Sequence, residues 1–84
     1  MKRFPHQAAL LKRARAKMGL SQWDFGAVIG LPHTQMTSDV ERGIKPLTIS
    51  RWRLLDKVVG KSAILDACVA DFVEDFERKY EGAL

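Results

Sequence analysis

The chain has 84 residues, 46% of them hydrophobic and 29% charged. That is the length of one domain and the composition of a folded one, not of a disordered tract. Its formal net charge is +4, which suggests an anionic partner, and its single cysteine, Cys68, excludes an internal disulfide and suits a reducing compartment.

The charge is unevenly spread. Residues 1–59 hold eleven Lys and Arg against Asp24, Asp39, Glu41 and Asp56, a balance of +7; residues 60–84 hold three against six acids, a balance of −3. A binding body over 1–60 and a separate C-terminal helix over 61–84, packed on the same domain, are expected. The N-terminus, Met1 to His6, is basic, but no apolar run follows it and none elsewhere is long enough for a bilayer. A soluble, cytoplasmic protein without a membrane partner is therefore expected.

Glycine and proline punctuate five helical segments. The first, about Pro5 to Met18, is rich in Ala, Leu, Lys and Arg, with Leu10, Leu11, Ala14 and Met18 on one stripe and Gly19 placed to cap its end. The second starts at Ser21, a capping residue with Asp24 three positions on. Phe25, Val28 and Ile29 are its apolar face, and Gly30 stops it. The third runs from about His33 to Arg42 behind Pro32, with Met36 and Val40 inward and Gly43 as its stop. The fourth starts near Thr48 and carries Ile49, Trp52, Leu55, Val58 and Val59 up to Gly60. The fifth runs from Ser62 to about Tyr80 with a wide apolar face (Ile64, Leu65, Cys68, Val69, Phe72, Val73, Phe76, Tyr80) opposite an acidic one. No apolar–polar alternation argues for a strand, so the expected class is all-α, a compact five-helix domain.

Segments two and three, joined by Gly30-Leu31-Pro32, have the form of a helix-turn-helix. Gly26 in the middle of the first helix suits a close crossing, and Gly30 suits a turn with positive φ. The outward positions of the second helix are His33, Thr34, Gln35, Thr37 and Ser38. These are short polar side chains of the kind that read base edges, where a merely solvated helix more often carries Glu and Lys. Thr34, Gln35 and Ser38 lead this set, with His33 and Thr37 next.

Gly19-Leu20-Ser21-Gln22, Phe25-Gly26, Ile29-Gly30 and Glu41-Arg42-Gly43, in that order, resemble the Cro/lambda-repressor-like helix-turn-helix family, the xenobiotic-response-element class. The resemblance covers about Leu11 to Val59, and the layout is similar to that of small phage, mobile-element and restriction-modification controller proteins. It implies a DNA-phosphate contact at Gln22, backbone contacts at Arg42 and Lys45, and a structural pair between Arg15 and Glu41. From Gly30 to Glu41 the spacing is one residue longer than the usual family pattern. Either Pro32 caps the reading helix and His33 leads it, or His33 caps it and Thr34 leads.

Lys12 and Arg13, with Lys17, are further phosphate candidates or a solvated face, and Lys2 and Arg3 can form a short arm. Trp23 either covers the backbone beside a phosphate or packs on a neighbouring helix. With two separated histidines and one cysteine no zinc ligand set is visible, and no catalytic pair or phosphate loop is either, so no metal, no cofactor and no enzyme activity are expected. Leu65, Val69, Phe72, Val73, Phe76 and Tyr80 are the expected dimer interface, because four helices already close a core and the fifth needs a surface. The expected function is a sequence-specific double-stranded DNA-binding regulator, a repressor bound as a homodimer to a palindromic operator. The alternative is an antitoxin-like module that grips a protein partner through the C-terminal helix.

Overall fold

The computed structural model describes residues 3–83, which are helical with no strand among them. The expected all-α class is observed. Helix α1 (Pro5–Met18) begins with Pro5 in its first turn and buries Gln7, Ala8, Leu10, Leu11 and Ala14. Gly19 ends it at φ 67°, its amide bonding to Ala16 O while the Leu20 amide reaches Arg15 O. Only glycine takes this left-handed closure without penalty.

Helix α2 (Gln22–Val28) starts on Ser21, whose Oγ accepts from the Asp24 amide at 3.2 Å. Phe25 and Ile29 are fully buried, but Val28, expected on the apolar face, is 37% exposed. The helix spans only two turns, and its inner stripe is filled by Phe25, Gly26 and Ile29. Gly30, at φ 75°, turns the chain, and the Leu31 amide bonds back to Gly26 O at 2.8 Å.

Helix α3 (Thr34–Glu41) follows with His33 as its cap, extended at φ −129° and ψ 140°. Of the two registers open in the sequence, the backbone adopts the one in which His33 caps and Thr34 leads. The fourth segment is not one regular helix. It runs as α4 (Ile49–Trp52), a 3₁₀ turn (Arg53–Leu55) and α5 (Asp56–Val59). Trp52 and Leu55, one turn apart, share the buried face, while Ile49 is 64% exposed.

Helix α6 (Lys61–Gly82) packs mainly on α1. Its buried stripe is narrow: Ile64, Ala67 and Asp71, with Cys68 half-buried. The core gathers Leu11, Ala14, Phe25, Ile29, Trp52 and Leu55 at its centre. Gln7 is a polar group buried against it. Gln7 Oε1 accepts from the Leu47 amide and from Trp52 Nε1, both at 3.2 Å. The core thus satisfies its indole N–H and ties the α3–α4 loop to α1.

Asp71 does not belong to the acidic outer face. It is 1% exposed, and its carboxylate accepts from the His6 and Gln7 amides at 2.8 and 2.9 Å. Phe4 offers α1 no side-chain cap, so a carboxylate from α6 satisfies two first-turn amides that would otherwise be orphaned. Among the described residues, no helix is long and apolar enough to cross a membrane.

Candidate nucleic-acid interface

The turn between α2 and α3 is set by a contact that only glycine allows. A Cβ on Gly26 would stand 2.6 Å from Thr37 Oγ1, so the two helices approach to the limit that a bare Cα permits. This contact corrects one sequence expectation. Thr37 is fully buried and faces α2, so it is not available to read bases. Its hydroxyl has no hydrogen-bond partner.

The far end of α3 is fastened to α1. Arg15 Nε lies 2.9 Å from Glu41 Oε2 and 3.2 Å from Oε1, Nη2 lies 3.1 Å from Oε1, and Nη1 donates to Leu20 O at 3.2 Å. The expected Arg15–Glu41 pair is present as a forked contact on a carboxylate that is 1% exposed. Gln22, expected at a phosphate, instead points its amide at Glu41 Oε1 (3.4 Å). Arg51, half-buried, donates from Nη2 to Gly30 O at 3.2 Å and braces the turn.

What remains open on α3 is His33, Thr34, Gln35 and Ser38. His33 and Gln35 are exposed, and Thr34 and Ser38 are half-buried at the rim. His33 makes no side-chain cap bond, so its imidazole is not used to start the helix. Gln35 Nε2 donates to Asp39 Oδ1 at 2.9 Å, and Asp39 Oδ2 lies 3.8 Å from Lys45 Nζ. Asp39 therefore holds both the leading reader and an expected phosphate contact. The sequence carried the signal, since Asp39 stands one helical turn after Gln35.

Arg42, at the end of α3, and Lys45 are exposed on the same side of the fold as this helix end. Lys12 is exposed on α1. Arg13 and Lys17 stand beside Val59 and Ala63, where α5 meets α6, and are not brought to α3. Arg3 is tied down by its amide to Gly43 O at 2.9 Å; Lys2, the other half of the expected arm, lies outside the described residues. Trp23 does not pack into a neighbouring helix. It is 70% exposed and walls an open hollow of about 320 Å³ with Gly26, Ala27, Leu31, Pro32, His33 and Thr34, floored by Thr37.

Away from this face, His6 Nε2 contacts Glu74 Oε1 at 2.8 Å beside Asp71, which brings three possible ligand groups within 4.8 Å of one another. All three are spent on protein contacts: Asp71 on two amides, and His6 and Glu74 on each other. The hydrogen bond to Glu74, with the charges of Glu74 and Asp71, raises the His6 pKa above 6.5 against a smaller effect of burial. Burial, with Asp71 nearby, pushes the Cys68 thiol up, which keeps it protonated and unreactive.

The six residues expected at a dimer interface are all exposed: Phe72 and Tyr80 are 70% and 72% accessible, and Leu65, Val69, Val73 and Phe76 lie between 43% and 58%. Phe72, Phe76 and Tyr80 stack along α6 with centroids 6.5 and 5.7 Å apart. Compared with known proteins, the chain matches no family model, no curated protein and no solved structure.

Proposed function

We propose that the chain is a sequence-specific double-stranded DNA-binding transcriptional regulator of the Cro/lambda-repressor-like kind, a repressor that binds a palindromic operator as a homodimer. The observation that carries this reading is the way α3 is held. It is fixed at its start by the Gly26–Thr37 contact and at its end by Arg15–Glu41, while His33, Thr34, Gln35 and Ser38 are left facing out. A short helix braced at both ends, with small polar groups outward, is what reading base edges requires. Arg42, Lys45 and Lys12 are exposed cations suited to phosphate, which supplies position rather than sequence information.

The bare face of α6 supports the homodimer. Its three aromatic and three aliphatic side chains expose on the order of 700 Å² per protomer, given about 150–250 Å² for a whole aromatic side chain. A stable interface takes about 800 Å² from each partner. A two-fold pair would present two reading helices to half-sites about 34 Å apart. The same face also suits an antitoxin-like grip on a protein partner, which would appear as a stoichiometric co-purifying chain without DNA binding.

Selection of bound duplexes from a random DNA pool tests the reading. A two-fold symmetric sequence is expected, and Gln35→Ala is expected to relax one base position per half-site by roughly tenfold, within the ~1–3 kcal/mol of a bidentate contact. Recovery of no preferred sequence would contradict it.

A further inference from the structure

Trp23 is an indole 70% exposed on a helix whose other aromatic, Phe25, is fully buried. It serves no packing role, yet it forms one wall of the hollow beside the start of α3. The other walls, Ala27, Leu31 and Pro32, are apolar as well. Thr37 lies at the floor but is fully buried with its hydroxyl turned to Gly26, so the floor presents no accessible polar group. His33 and Thr34 form the rim, and Gln35 follows directly on α3. On the DNA-binding reading above, a duplex contacted by Thr34 and Gln35 would pass over this opening. Of the groups that face the major groove, the C5-methyl of a pyrimidine is the apolar one, and in thymine it lies beside an O4 acceptor. Apolar walls with the Thr34 hydroxyl at the rim match that pair.

Resting on the DNA-binding reading above, we infer that the hollow walled by Trp23 is a subsite for the C5-methyl group of a pyrimidine in the major groove, and that Trp23 is a specificity-determining residue. The hollow is open and exceeds a methyl group in volume, so the methyl fills only part of it. The methyl can come from thymine or from 5-methylcytosine, and the chemistry of the contact is the same.

The test uses the duplex recovered by selection from random DNA. Each dT is replaced in turn by dU, and each dC by 5-methyl-dC. A thymine source gives about fourfold weaker binding at one dU position per half-site, the value of one buried methyl group. A methylcytosine source gives a gain of similar size at one modified dC. Trp23→Ala, at an exposed site, is expected to bind the methyl-bearing duplex about fourfold more weakly and to lose the response to the methyl group. Trp23→Phe is expected to keep it. Wild-type binding indifferent to every methyl, or an undiminished methyl response in Trp23→Ala, overturns the subsite and leaves the DNA reading standing. Absence of any sequence-specific duplex binding overturns both.

Discussion

Glu41 is almost fully buried, and its charge is acceptable there because Arg15 grips both oxygens. Removing one partner of such a pair costs more than the pair itself contributes, because the other charge is left buried and alone. Arg15→Ala is therefore expected to destabilise the fold by roughly 3–5 kcal/mol, and Arg15→Met with Glu41→Leu by much less. Denaturant titration of the single and double variants checks this, and equal losses in both would contradict it. The pair was legible in the sequence through the spacing shared with a known motif. The Gln35–Asp39 contact had a signal in its one-turn spacing, but the turn of Gln22 toward Glu41 did not, because that hydrogen bond depends on a rotamer that spacing does not specify. Thr37 was misplaced for a similar reason. Its polarity argued for the outside, while the missing Cβ of Gly26 opened a place for it inside.

Between elements, two contacts decide how the helices sit. In Gly26→Ala the new methyl meets Thr37 Oγ1 at 2.6 Å, and overpacking of this kind costs about 1–3 kcal/mol. Adding Thr37→Ala removes the clashing atom and is expected to recover most of the lost Tm; a double variant as unstable as Gly26→Ala alone would contradict the contact. The second junction joins α1 to α6 through Asp71, His6 and Glu74. The His6 pKa is raised in the folded state, chiefly by its hydrogen bond to Glu74. Its contribution to stability is then fully present below the unfolded value of about 6.5 and is lost as pH rises through the raised folded value. The Tm gap between wild type and His6→Ala is expected to be larger near pH 6 than near pH 8.5, and a gap that widens with pH would contradict it. Helix number, order and stops were legible from glycine, proline and apolar spacing. Asp71 was also within reach, because it continues the Ile64–Ala67 stripe by four residues, but its charge argued for the surface. The break of the fourth helix into a 3₁₀ turn left no mark in composition.

For the molecule as a whole, the basic first 59 residues and the acidic remainder divide the proposed labour: one part meets phosphate, the other meets a partner. The uncovered Phe72–Phe76–Tyr80 row predicts that Phe76→Asp sediments as a monomer at concentrations where the wild type is a dimer. Equal sedimentation of the two would remove α6 from the interface. α6 was legible as an amphipathic helix, but what meets its outer face is not written in local sequence. If α3 reads DNA while exposed cations hold its phosphates, affinity must fall steeply as salt rises. With three contacts per protomer, from Arg42, Lys45 and Lys12, the dimer is expected to give a log–log slope of affinity against salt of about −5. A slope near zero would contradict the account.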